Sequence, residues 1–102
     1  MKRLPLSLLA HWAGGELLGD DLVIGSLTHD TRALVPGSLY VALRGERFDG
    51  HDFAYDASMR GAAAVLVDHE VKVDVPQVVV PDTLLALARI LDAQRSPAGA
   101  NA

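Results

Sequence analysis

The chain has 102 residues, half of them apolar and 22% charged, which is the composition of one packed globular domain with an adequate but modest core. It holds no cysteine, which excludes disulfides, thiolate metal sites and cysteine nucleophiles and fits a cytoplasmic location. Nine Lys and Arg against thirteen Asp and Glu give a net charge of −4, so a phosphate-neutralising face for nucleic acid is not expected.

No apolar run approaches the roughly 20 residues of a membrane helix, and the basic start Met1-Lys2-Arg3 is not followed by a cleavage-type segment, so neither a membrane partner nor a signal peptide is expected. The two lysines, Lys2 and Lys72, do not follow a G-x-x-x-x-G run, so the chain carries no P-loop.

In chain order, apolar residues at 6, 8, 9, 12 and 13 predict a helix over Leu6–Ala13, with Ser7 as N-cap and Gly14-Gly15 as its stop. Glu16 to Leu18 reads as a short strand and Leu22 to His29 as a second, with Gly25 a candidate bulge. Pro36-Gly37 marks a turn before a buried strand at Ser38 to Leu43. The polar segment Arg44 to Asp52 reads as a loop. A helix then runs from Phe53 to Arg60, capped by Asp52 and closed by Gly61. Ala62 to Val67 and Gln77 to Val80 are buried strands flanking a loop. The last helix opens at Pro81-Asp82-Thr83, with Leu84, Leu85, Leu87, Ala88 and Leu91 as its apolar stripe and Arg89 and Arg95 toward water. Residues 96–102 have no pattern and read as a disordered tail. Short apolar strands joined by amphipathic helices predict a three-layer α/β/α domain around a mixed sheet of four or five short strands.

Two segments carry candidate chemistry, both directly after strands, where ligands of open α/β sheets sit. The loop Arg44-Gly45-Glu46-Arg47-Phe48-Asp49-Gly50-His51-Asp52 combines arginines that suit phosphate with an aromatic ring that can stack on a base. It equally fits a solvated turn whose Asp and Gly satisfy their own backbone. Asp30-Thr31-Arg32 offers a hydroxyl and free backbone groups to a polar ligand, or else an Asx turn with an internal Asp–Arg pair. His51 with Asp49 lacks the further ligands that zinc requires, and no G-x-S-x-G elbow supplies a serine nucleophile. Neither a metal nor a catalytic residue is therefore expected. A small hydrolase or transferase using His51 and Asp49 and a plain interaction module are the competing classes.

The stretch Thr28–Phe53 (THDTRALVPGSLYVALRGERFDGHDF) resembles the N-terminal domain of the Mur ligases in the form D-[ST]-R-x-[VL]-x-P-G-x-L-[FY]-V-A-L-x-G-x-x-x-D-[AG]-H-x-F. Ala57 to Val65 is similar to the family's A-x-x-x-G-A-x-A-[VL] segment, and Val80 to Leu87 to its V-x-D-T-x-x-A-L segment. The resemblance covers about residues 6 to 92 in several ordered blocks.

The resemblance implies an ATP-dependent amide-forming ligase of peptidoglycan precursors. In that family a peptide carboxylate is phosphorylated to an acyl phosphate, an amine attacks and phosphate leaves. ATP and magnesium belong to a central P-loop domain and a C-terminal domain assists, so the resemblance implies no cofactor in this chain itself. Residues 1–95 would be the first domain, which holds the UDP end of a UDP-muramoyl-peptide substrate. Residues 96–102 would begin the linker to the ATP-binding domain. The expected partners are that substrate and those two domains, and a monomer is expected. Two kinds of member share such a first domain. One adds the third amino acid of the peptide and the other adds D-alanyl-D-alanine to the resulting tripeptide. The absence of a proline before Gly45, together with Leu6-Ser7 and Gly15-Glu16-Leu17, is closer to the second. By the resemblance, Asp30, Thr31 and Arg32 lie near the uracil and ribose, and Gly45, Asp49, Gly50 and His51 lie around the UDP. Arg47 and Phe48 join them on the phosphate and stacking arguments.

Overall fold

The computed structural model describes residues 2–95; the expected tail or linker at 96–102 lies outside the described residues. The chain begins with β1 (Leu4–Pro5), α1 (Leu6–Ala13), β2 (Glu16–Leu18), β3 (Val23–Ile24) and β4 (Ser26–Thr28). A 3₁₀ turn at Thr31–Ala33 leads to β5 (Ser38–Val41), and a second at Gly50–Phe53 leads to α2 (Ala54–Met59). The remainder is β6 (Ala64–Val67), β7 (Gln77–Val79) and α3 (Thr83–Arg95).

Five strands form one mixed sheet in the order β2-β7-β6-β5-β4. β4 to β7 are parallel, and β2 joins antiparallel at the β7 edge. The period-2 alternation of strand side chains divides the core in two. Leu39, Val41, Ala64, Leu66, Val78 and Val80 face Leu6, Leu9 and Ala13 of α1 and Ala86 and Ile90 of α3. Tyr40, Ala42, Val65 and Val67 face Ala54 and Ala57 of α2. The result is the three-layer arrangement expected from the sequence. Among the described residues no helix is long and apolar enough to cross a membrane.

The connection from β6 to β7 contains no helix. Val71, Val73 and Val75 instead lay alternate side chains on the sheet face beside α2. The buried Gln77 amide holds this segment, accepting from the Val71 N–H at 2.8 Å and donating to the Val71 carbonyl at 2.9 Å.

Four expectations need correction. The single strand over Leu22 to His29 is broken at Gly25, because β3 pairs with β1 while β4 pairs with β5. Ser7 is not an N-cap: Pro5 precedes α1, and the Ser7 N–H and hydroxyl donate to the Asp21 carboxylate at 2.9 and 2.6 Å. A carboxylate distant in sequence thus satisfies a free N–H of the first turn. Asp52 does not cap α2 either, since the 3₁₀ turn before it is capped by Asp49. In α3 the buried stripe is Thr83, Ala86 and Ile90, while Leu84, Leu85 and Leu91 are exposed. Leu84-Leu87-Leu91 and Thr83-Ala86-Ile90 share one helical spacing, and the smaller residues allow the close approach. Leu87 packs against the core as a partly buried residue.

Candidate functional site

A groove of about 400 Å³ opens beyond the carboxyl ends of β4 and β5, within the size range of small-ligand sites. One wall is the segment His29 to Arg32, and the other is built from Tyr40, Phe48 and Phe53. The first wall begins where β4 ends. The Asp30 N–H donates to Thr28 Oγ1 at 3.1 Å, and Asp30 Oδ1 accepts the Arg32 N–H at 2.9 Å, which caps the 3₁₀ turn. Arg32 Nε and Nη2 then meet the two oxygens of the same carboxylate at 3.0 Å each. This bidentate contact holds the Asp30 carboxyl below its ordinary range and raises the Arg32 guanidinium. The Asx turn and internal ion pair weighed from the sequence are present, and the same three residues line the groove. Because the Arg32 side chain is 86% exposed, solvent screens the pair and it contributes little to stability. An anion approaching this guanidinium would share or displace the Asp30 carboxylate.

The second wall depends on a tightly constrained loop. The Gly45 N–H donates to the Phe48 carbonyl at 2.8 Å, and the Gly50 N–H donates to the Leu43 carbonyl at 2.7 Å. A Cβ on Gly50 would lie 2.7 Å from the Leu43 backbone, so this position excludes larger residues, whereas one on Gly45 would lie 2.7 Å from the Phe48 ring and displace that exposed side chain. The buried Tyr40 hydroxyl donates to the Gly50 carbonyl at 2.8 Å. Burial, reinforced by Asp49, pushes this phenol up to about 12. Tyr40 is therefore a protonated donor at neutral pH.

Behind this loop, four side chains close a ring. Arg44 Nη1 donates to Asp49 Oδ2 at 2.7 Å. Asp49 Oδ1 accepts the His51 N–H at 2.9 Å and faces His51 Nδ1 at 2.6 Å. His51 Nε2 accepts the Asp68 N–H at 2.9 Å. The Asp68 carboxylate returns to Arg44, accepting from Nε at 2.6 Å and Nη2 at 3.0 Å. The Arg44 fork holds the Asp68 carboxyl well below the usual carboxylate range, and the bond from the His51 backbone N–H lowers Asp49.

Placement of the expected site residues is thus uneven. Asp30, Thr31, Arg32 and Phe48 line the groove together. Gly45, Asp49, Gly50 and His51 are absent from its lining and build the loop that carries Phe48. Arg47 is exposed and also outside the lining. His29, Tyr40 and Phe53 line the groove without having been singled out as site residues. Tyr40 lies in the strand expected to be buried, and it packs against the α2 face of the sheet. Its position at the carboxyl end of a parallel strand was the available signal.

His51, Asp68 and His69 each place a donor atom within 4.8 Å of the others. Both nitrogens of His51 are hydrogen-bonded, and the Asp68 carboxylate is held by the Arg44 cation and by His69 Nδ1 at 2.7 Å. Among the described residues no serine or threonine hydroxyl hydrogen-bonds a histidine, so no nucleophile–base pair is assembled.

Residues 23–95 match the model of the Mur ligase family, described as its catalytic domain. The chain belongs to the Mur ligase family. A UDP-N-acetylmuramoyl-tripeptide–D-alanyl-D-alanine ligase of Escherichia coli (strain K12) is 48% identical over 90 residues, which are 88% of this chain and 20% of that protein. A UDP-N-acetylmuramoyl-L-alanyl-D-glutamate–2,6-diaminopimelate ligase of Geobacillus kaustophilus is 43% identical over 89 residues, 86% of this chain and 18% of that protein. The crystal structure of MurF from Acinetobacter baumannii superposes with a TM-score of 0.80 at 26% identity, covering 94% of this chain and 23% of that one. This Mur ligase chain therefore spans about a fifth of the length of the relatives it matches. Its matched span includes both walls of the groove.

Proposed function

We propose that residues 1–95 form the first domain of a Mur ligase that adds D-alanyl-D-alanine to a UDP-muramoyl tripeptide, and that the groove holds the UDP end of that substrate. The observation that carries the reading is the presence of the exposed Arg32 guanidinium and the Phe48 ring in the lining of one groove. A guanidinium fork matches a diphosphate, and an aromatic face offers stacking to a pyrimidine. The 48% identity to the Escherichia coli D-alanyl-D-alanine ligase over 88% of this chain, against 43% to the Geobacillus kaustophilus diaminopimelate ligase, supports the type. A first domain of the diaminopimelate type is the second reading.

On this account the chain binds and orients and does not itself perform the chemistry. The UDP moiety does not react, yet gripping it positions the distant carboxylate for activation. ATP and magnesium act on the central domain of the whole protein, which with the C-terminal domain is the partner of this chain. We place the protein in the cytoplasm as a monomer.

Calorimetric titration with UDP and with uridine tests the reading. UDP is expected to bind more tightly than uridine, and Arg32→Ala is expected to remove about tenfold of that advantage, the scale of one charge-assisted contact. Equal binding of UDP and uridine by the wild-type chain would remove the diphosphate from the assignment.

A further inference from the structure

We propose that His51 is a positioning residue that fixes the Phe48 wall of the groove without touching the ligand. The affinity part of this inference rests on the UDP reading above. The imidazole is 3% exposed and does not line the groove. A backbone N–H only donates, so the 2.9 Å contact from Asp68 makes Nε2 the acceptor. The ring proton therefore sits on Nδ1 and is donated to Asp49. No nitrogen remains for a substrate, a metal or a proton transfer. His69 stacks on the ring with centroids 4.7 Å apart.

What the imidazole does is join two parts of the fold distant in sequence. One nitrogen holds the residue after β6, and the other holds the carboxylate next to Phe48. Phe48 is thereby set between two anchors, the Gly45 N–H on its own carbonyl and the Asp49 side chain that follows it. Arg44 closes the ring from the residue after Leu43, so the loop is tied to the ends of both β5 and β6. The histidine of the D-G-H run is thus explained by loop geometry rather than by contact with the nucleotide.

The test uses the 102-residue chain with His51→Asn, His51→Gln, Phe48→Ala and the double variant Phe48→Ala/His51→Asn. Asparagine places its amide near the Nδ1 position and leaves the Asp68 N–H without an acceptor, whereas glutamine reaches the Nε2 position. UDP binding is expected to weaken about tenfold in His51→Asn, the scale of one unsatisfied buried group, and less in His51→Gln. In the Phe48→Ala background His51→Asn should add no further loss, because its effect passes through Phe48. A purely structural role would move thermal stability but would not give this non-additivity. Wild-type affinity in His51→Asn, or full additivity with Phe48→Ala, overturns the proposal.

Should the wild-type chain not bind UDP, the ligand reading fails and hydrogen exchange decides the positioning role. The Gly45 and Gly50 amides are then expected to exchange about tenfold faster in His51→Asn, with Leu39 and Val65 unchanged. Wild-type exchange at both glycines overturns it. If His51→Asn does not fold, Asp49→Asn, which keeps the backbone cap and weakens the imidazole contact, takes its place in both comparisons.

Discussion

Replacing Tyr40 with phenylalanine removes one oxygen atom and leaves the packing of the ring intact. The hydroxyl is the 2.8 Å donor to the Gly50 carbonyl, and the residue is 2% exposed. Loss of a buried donor to a buried carbonyl costs about 1–2 kcal/mol, which lowers the Tm by roughly 4–8 °C per kcal/mol in a domain of this size. A second signature comes from alkaline pH. The phenol is raised from 10.0 to about 12 in the folded chain, so the unfolded chain gives up this proton first. The stability linked to the phenol is then complete below about pH 10 and is lost as pH rises through about 12. A tenfold change in proton affinity is about 1.4 kcal/mol, so the loss totals about 2–3 kcal/mol. Urea unfolding followed by the fluorescence of Trp12, at pH 7 and at steps from pH 8 to 11.5, reads both effects. The difference between wild type and Tyr40→Phe isolates Tyr40 from every other group that titrates there. Tyr40→Phe should be less stable at pH 7 and show a shallower alkaline loss. An unchanged alkaline slope in the variant would refute the reasoning.

Gly50→Ala forces a Cβ to within 2.7 Å of the Leu43 backbone and is expected to cost about 1–3 kcal/mol as an overpacking change, measured by chemical denaturation. Ile90→Ala, at a fully buried position, should cost about 2–5 kcal/mol, whereas Leu84→Ser, at a residue 65% exposed, should stay within about 0.5 kcal/mol. Equal costs in that pair would return the buried face of α3 to the leucine stripe. The Asp68 carboxyl is held well below its usual range by Arg44, so its contribution is present above about pH 4 and is lost as pH falls further. Asp68→Asn should flatten the acid limb of the stability curve while lowering stability at pH 7.

The strands were legible because runs such as Ser38-Leu39-Tyr40-Val41 and Ala64-Val65-Leu66-Val67 are short, apolar and preceded by the turn residues Gly37 and Gly61, and both are buried along their length. α3 was legible as an element but not in its orientation, since two stripes share the same spacing and only contact with α1 and the sheet chooses between them. The break at Gly25 depends on which partners β3 and β4 find, and that is a long-range fact. At the site, the block Asp30-Thr31-Arg32 and Phe48 could be read from their positions after strands and from a family pattern. The pattern also marked Gly45, Asp49, Gly50 and His51, which it cannot separate from ligand contacts because a loop that must hold one shape constrains its residues just as strictly. The bond between His51 and Asp68, seventeen residues apart, is visible only in the folded chain.

Two-dimensional amide NMR of the uniformly labelled chain during titration with UDP places the nucleotide without assuming its contacts. Binding in the groove predicts concentration-dependent shifts at Thr31, Arg32, Phe48 and Phe53, with Leu84 to Leu91 of α3 unchanged. Shifts confined to α3, or no shifts at millimolar UDP, would contradict the assignment of this groove to the nucleotide.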